Sequence, residues 1–121
     1  MFNSTDDGAS WVPLDFVQVP GAFHFFPTLA ADETGEVGLS FQTIDAGGTV
    51  AHTWFAASTG FPILLAGPYT PGTPRALGDY AGMAVIPPRG IGSRGETFLP
   101  AWTETAGGVS VVDPALVRVL P

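Results

Sequence analysis

The sequence has no cysteine and no lysine, and its 121 residues carry four arginines against eleven acidic side chains. Without cysteine there is no disulfide, no thiolate metal site and no cysteine nucleophile. The formal net charge of −7 argues against binding to nucleic-acid phosphates, which requires clustered cations. The composition therefore excludes nucleic acid as a partner.

Other absences narrow the fold. No long stretch repeats apolar residues at helical spacing, and no apolar run has the length of a membrane span. The sequence shows no signal peptide, so we expect any leader of a longer parent to lie upstream. No spacing of histidines and carboxylates indicates a transition metal, and no glycine-rich loop opens a helix. We therefore predict no cofactor, no metal and no membrane span.

The residues that are abundant favour strands and turns. The chain is 45% hydrophobic, which suffices for one ordinary domain, and it contains sixteen glycines and twelve prolines. We predict an all-β fold with strands over 11–19, 25–31, 37–42, 50–57, 62–66, 79–85, 98–103 and 109–120. The last of these strands is expected to break at Asp113-Pro114.

Two parts of the chain are similar to each other. Residues 26–31 and 40–48 parallel residues 80–84 and 101–108, with the extra length of the second copy in the loop 87–95. The period of roughly fifty residues suits a repeated unit of four strands.

The stretch Ser4–Trp11 reads S-x-D-x-G-x-S-W, and each fixed position has a physical role. The Asp6 carboxylate can accept backbone hydrogen bonds within its own turn, Gly8 allows an unusual backbone angle, and Ser10 offers a hydroxyl. We expect Trp11 to bury its ring and anchor the following strand. The alternative is a chance Asx-turn beside a tryptophan.

This stretch resembles the Asp-box (BNR) turn of sialidases and related β-propellers. Residues 25–37, with Phe25-Phe26-Pro27 before Ala31-Asp32, are similar to the start of a blade in that family. Residues 77–84 and 101–105 resemble a later segment of it. The resemblance implies a partial β-propeller of about two four-stranded antiparallel blades, where relatives have six. It assigns residues 1–20 to the end of one blade, 21–67 to a full blade with a degenerate Asp-box, and 68–121 to three strands of the next.

The resemblance also implies candidate site residues. Relatives hydrolyse sialylated or related glycans with a tyrosine nucleophile, an acid/base carboxyl and three arginines that hold the substrate carboxylate. Here it suggests Tyr80 and Asp79 as catalytic residues. The ligand-binding candidates are Arg75, His24, Asp45 and Glu104, and the structural Asp-box residues are Ser4, Asp6, Gly8, Ser10 and Trp11.

Each candidate also has a structural interpretation. His24 suits capping or packing, Asp79 suits backbone donors at a strand entry, and Tyr80 suits packing with its hydroxyl at the rim. Asp45 and Glu104 fall in hairpin turns, where acids are common. Where relatives carry an arginine after their "D-T" pair, this chain has Ala106, so an arginine of the expected set is missing.

Three readings of function follow. The parent is an exo-acting glycoside hydrolase of secreted or cell-surface type, with this chain lacking a complete catalytic set. Alternatively it is a non-catalytic propeller module that binds a glycan or protein, or an unrelated β-sandwich with an accidental Asp-box. Because two blades leave sheet edges unpaired, the expected partners are the remaining blades of a longer parent or further copies, three of which would supply six blades.

Overall fold

The computed structural model describes residues 2–13, 18–58, 60–70, 81–87, 96–106 and 109–119. This part of the chain contains no helix, and its strands form antiparallel sheets, so the prediction of an all-β fold is confirmed. In chain order the strands are β1 Phe2–Asn3, β2 Val12–Pro13, β3 Ala22–Ala31, β4 Val37–Asp45, β5 Ala51–Ala57, β6 Ile63–Tyr69, β7 Gly82–Ile86, β8 Glu96–Ala106, β9 Val109–Pro114 and β10 Val117–Val119.

The first sheet is a four-stranded meander of β3, β4, β5 and β6. Its first two hairpins turn at Asp32–Gly35 and Asp45–Gly48, in the gaps between the strands predicted over 25–31, 37–42 and 50–57. The ladder between β3 and β4 contains a bulge between Phe25 and Thr28. Pro27 lies at this bulge, and a proline has no N–H to donate to a ladder.

The second sheet has β8 at its centre, with β7 on one side and both β9 and β10 on the other. β9 pairs with the end of β8, and β10 pairs with its beginning. The two strands therefore continue one edge across a break after Pro114, as the sequence predicted. Neither sheet is closed.

The predicted internal repeat reappears in the pairing register. In the first sheet Thr28 pairs with Ser40, and at the equivalent positions of the second sheet Gly82 pairs with Ala101. The next three pairs toward the hairpin turn are also equivalent, ending at Ala31 with Val37 and at Val85 with Phe98. The two hairpins are thus the same structural unit.

The hydrophobic core lies between the two sheets. Phe55 on β5 and Phe98 on β8 are buried, and their ring centroids lie 5.4 Å apart. Val117 completes the buried cluster. We call the two sheet surfaces that meet here the inner faces, and the opposite surfaces the outer faces. Side chains alternate between the two faces along a strand. Together with the strand pairing, this alternation places Gly38 and Phe55 on the inner face of the first sheet. Leu39 and Phe41 lie on its outer face.

Several predicted strand bounds were wrong. Within the strand predicted over 11–19, β2 covers Val12–Pro13, residues 14–17 lie outside the described residues, and Gln18 and Val19 belong to no strand. β6 continues to Tyr69, beyond the predicted end at residue 66, and β8 extends from 96 to 106. β6 and β8 are longer than predicted because neighbouring antiparallel strands provide hydrogen-bond partners for the additional residues. The residue pattern within one segment does not reveal such partners.

Candidate functional site

The first candidate region is the turn that joins β1 and β2, where Asp6 accepts hydrogen bonds within its own loop. The backbone N–H of Ser10 donates to Oδ1 of Asp6 at 2.8 Å, and the Ser10 hydroxyl donates to Oδ2 at 2.6 Å. The Ser4 hydroxyl donates to Asp6 Oδ1 at 2.8 Å and accepts the N–H of Gly8 at 2.7 Å. Gly8 has a φ of 86°, which disfavours other residues. The expected bonding of this turn is present.

The Asp6 carboxylate is stabilised in its charged form. The hydrogen bond from the Ser10 hydroxyl, followed by that from the Ser10 N–H, lowers the pKa of Asp6 from 3.8 to about 2. Both carboxylate oxygens are used inside the turn. The arrangement suits a structural role and leaves little for a ligand.

Trp11 differs from the prediction that its ring is buried. The side chain is 61% exposed, while its indole N–H donates to the carbonyl oxygen of Gly8 at 3.1 Å. The expectation of burial was wrong, because the described residues bring no packed layer over the ring. Trp11 therefore stabilises the turn through its indole N–H, while most of the apolar surface of its ring stays exposed.

Asp45 was a candidate ligand-binding residue, and the structure places its carboxylate inside the β4–β5 loop. The N–H groups of Val50 and Thr49 donate to Oδ1 at 2.7 and 2.6 Å, and the Thr49 hydroxyl donates to Oδ2 at 2.8 Å. The bond from Val50, then those from Thr49, hold the pKa of Asp45 below its usual value. This bonding agrees with the structural interpretation of Asp45.

His24 lies on the outer face of the first sheet and borders a groove. Its Nε2 accepts the backbone N–H of Val19 at 3.1 Å, and its ring centroid lies 5.5 Å from that of Phe41. His24 therefore both caps the preceding segment and contributes to the groove wall.

This groove has a volume of about 630 Å³. The segment 18–22 forms one side, and the outer face of the first sheet forms the other. Its wall is mainly apolar, with His24 and Gln18 as the polar contributors; the other lining residues are Val19, Pro20, Gly21, Ala22, Pro27, Leu29, Leu39 and Phe41.

Glu104 lies in a second region, where the ends of the two sheets meet. The prediction that it falls in a hairpin turn was wrong, because Glu104 lies within β8 and pairs with Val111. The indole N–H of Trp102 approaches Oε2 of Glu104 at 3.4 Å. Asp113 pairs with Trp102 in the ladder and so projects on the same inner face as Glu104. From the first sheet, the hydroxyl of Tyr69 lies 3.2 Å from that of Thr53. The result is a partly buried group of two carboxyls and a phenol.

Burial raises the pKa of Glu104 above its usual 4.5; the Trp102 bond opposes the change and the Asp113 carboxyl adds to it. Burial also raises the pKa of the Tyr69 hydroxyl, and the charge of Glu104 contributes in the same direction. A carboxyl with a raised pKa keeps its proton to a higher pH than usual, and while protonated it can donate a proton or a hydrogen bond. This group is the chemically distinctive feature of the described chain.

Three of the four predicted ligand-binding residues lie toward the same end of the strands. His24 pairs with Thr43, two residues before Asp45. The Gln42 side chain bonds to the carbonyl oxygen of Thr103, which precedes Glu104. The pairing places His24 on the outer face and Glu104 across the inner face, so the first sheet separates the two side chains. Arg75, Asp79 and Tyr80 lie outside the described residues.

Sequence reasoning did not find Tyr69 or Asp113. Tyr69 lies beyond the end of the strand predicted over 62–66, and Asp113 coincides with the predicted break in the last strand. The alternation of side chains along β8 does indicate part of this site, because it places Trp102 and Glu104 on the same face. It does not indicate which residues of other strands lie beside them. Of those neighbours, Tyr69 lies on β6, which is distant from β8 in the chain, and Asp113 lies on β9, the next strand.

Comparisons with models of protein families, with curated proteins and with solved structures find no match. Within the described ranges no three histidine or acidic side chains form a group that could hold a metal ion. None of the described segments is a helix long and apolar enough to cross a membrane.

Proposed function

We propose that this chain is a section of a sialidase-like β-propeller whose role is to bind glycans. The observation that carries the proposal is the Asp6 turn, in which one carboxylate receives the Ser10 N–H and hydroxyl between two paired strands. The equivalent registers of the two hairpins and the packing of one sheet on the next also support a repeated unit.

The glycan-facing end in this proposal is the one that carries Glu104, Asp113 and Tyr69. Carboxyl and phenol groups donate and accept hydrogen bonds with sugar hydroxyls. The raised pKa of Glu104 supports a donor role at this end. A glycan-binding role also fits a secreted or cell-surface location.

Glycoside hydrolysis is the second candidate, and the same acid favours it. An acid/base carboxyl of raised pKa is one of the two groups that glycosidases generally require. Binding ranks first because the described residues include one arginine, Arg118, whose pairing with Thr97 places it on the outer face of the second sheet. The Glu104 group therefore has no arginine partner among the described residues to hold an anionic sugar.

The test combines binding and turnover on the unmodified chain. Isothermal titration with a sialylated and a neutral oligosaccharide measures binding, and a fluorogenic sialoside measures hydrolysis. Binding without turnover supports the first candidate. Turnover that is lost in Tyr80→Phe, with melting unchanged, supports the second. Absence of both binding and turnover contradicts the proposed function.

The variant Glu104→Gln tests whether this end of the sheets binds the glycan. Glutamine has nearly the same size as glutamate but lacks the carboxyl group. We expect weaker glycan binding in this variant. Glu33→Gln is the matched control, since Glu33 lies exposed in the β3–β4 turn. Equal loss of binding in both variants would contradict the assignment to this end of the sheets.

A further inference from the structure

The outer face of the first sheet is apolar and incompletely covered. Leu29 on β3 is 53% exposed, and Leu64 on β6 is about half exposed. Both pair with outer-face residues, Leu29 with Leu39 and Leu64 with Trp54. At the centre of this face Leu39 and Phe41 are already buried within the chain, so water reaches its margins at Leu29 and Leu64 and the groove beside Phe41, where further burial would stabilise the protein.

The internal repeat shows what kind of surface covers such a face. Because Ser40 is equivalent to Ala101, Leu39 and Phe41 are equivalent to Pro100 and Trp102. Pro100 and Trp102 lie on the inner face of the second sheet and are buried. The outer face of the first sheet is therefore the counterpart of a face that another sheet already covers in this molecule.

The covering surface has a counterpart as well. The inner face of the first sheet, which covers the second sheet, carries Gly38 and Ser40. Their equivalents, Leu99 and Ala101, lie on the outer face of the second sheet. That face also presents Val112, which pairs with Thr103 and is 58% exposed, and the exposed Ala84.

We propose that the outer face of the first sheet binds the outer face of the second sheet of another copy of this chain. The contact repeats between molecules the sheet-on-sheet packing found within one. It joins two different surfaces, so copies associate head to tail, closing into a ring or continuing as a chain. The proposal does not depend on glycan binding.

Charge does not oppose this contact, despite the net charge of −7. Among the described residues of these two faces, Asp45 is the acidic residue. Its carboxylate accepts hydrogen bonds from Thr49 and Val50 within its own loop. Glu104 and Asp113 project on the inner face of the second sheet, away from the contact. Arg118 is the charged residue on the outer face of the second sheet.

The experiment measures molar mass by light scattering after size-exclusion chromatography, over a hundredfold range of concentration. The unmodified chain is expected to show a mass of two or more copies that falls on dilution. Leu29→Asp removes one surface and Val112→Asp removes the other, so each variant alone is expected to be monomeric. Phe61→Asp is the control, because Phe61 is 90% exposed in the β5–β6 turn and lies on neither sheet face.

Mixing the two variants gives the decisive result. Each retains the surface that the other lacks, so a head-to-tail contact predicts a 1:1 complex that cannot grow further. Leu64→Asp with Ala84→Asp forms a second pair if circular dichroism shows that a first variant is unfolded. A chain that is monomeric at all concentrations overturns the proposal. So does association that persists in both variants, or a mixture of folded variants that stays monomeric.

Discussion

The side-chain amide of Gln42 on β4 donates a 2.8 Å hydrogen bond to the backbone carbonyl oxygen of Thr103 on β8. Both residues are buried, and the bond crosses from one sheet to the other. A strand in the middle of a sheet uses its carbonyl groups in its own ladders. Here a side chain from the neighbouring sheet donates to one of them, and this bond joins the two sheets in addition to the packing of Phe55 on Phe98.

We expect Gln42→Met to destabilise the fold by about 1–3 kcal/mol, because it leaves a buried carbonyl without its donor while keeping the side-chain volume. Urea denaturation followed by circular dichroism measures the change. Gln18→Met is the control, since Gln18 is exposed. Equal stability of the two variants would show that the bond across the sheets contributes nothing.

Gly38 lies where the two aromatic rings of the core meet its strand. A Cβ at this position would lie 2.6 Å from a Phe98 ring carbon and 2.9 Å from a Phe55 ring carbon. Overpacking of this kind costs about 1–3 kcal/mol, so Gly38→Ala should lower the free energy of unfolding by that amount. Gly82→Ala is the matched control, because a Cβ there meets no atom within 4 Å. Thermal denaturation of both variants tests the packing, and a Gly38→Ala protein as stable as Gly82→Ala would contradict it.

Asp6 is expected to stabilise the β1–β2 turn in a pH-dependent way. Its pKa is lower in the folded chain, about 2 against the usual 3.8, so its contribution is complete above 3.8 and is lost as the pH falls toward 2. Asp6→Asn should therefore melt at a lower temperature than the unmodified chain at pH 6. The difference should shrink as the pH approaches 2. A constant difference across this range would count against a charged carboxylate in the turn.

Glu104 is expected to have the opposite effect. Because burial raises its pKa in the folded chain, its contribution is complete below 4.5 and is lost as the pH rises through the raised value. Asp113 and Tyr69 face it from β9 and β6, and neither brings a positive charge. Glu104→Gln should remove this decline and melt higher than the unmodified chain at neutral pH. Glu33→Gln should follow the unmodified profile; a decline that survives in Glu104→Gln would assign it to another group.

Local features were predictable because their partners lie within a few residues. The turn at Asp6, the turn at Asp32–Gly35 and the loop at Asp45 each depend on bonds that span at most five residues. The spacing of carboxylates, glycines and hydroxyls records such bonds directly. The break after Pro114 was predictable for a similar reason, since proline removes a ladder donor.

The candidate site was only half predictable. Glu104 and His24 were identified from the sequence, but the surroundings of Glu104 were not, since Tyr69 and Asp113 approach it from β6 and β9. Trp11 shows the converse case. Its N–H bond to Gly8 is local, whereas burial of its ring depends on a layer that no local pattern specifies.

The sequence by itself determined the all-β class, the position of the turns at Asp6, Asp32–Gly35 and Asp45, and the repeat. Short-range hydrogen bonds and the alternation of side chains depend on residues that are close together in the chain, so their pattern is visible in the sequence. Tertiary structure alone decided which face of each sheet is covered, where Gln42 finds its acceptor, and how Glu104 comes to share a partly buried space with Asp113 and Tyr69. These outcomes depend on how two sheets stack, and stacking is a property of whole surfaces.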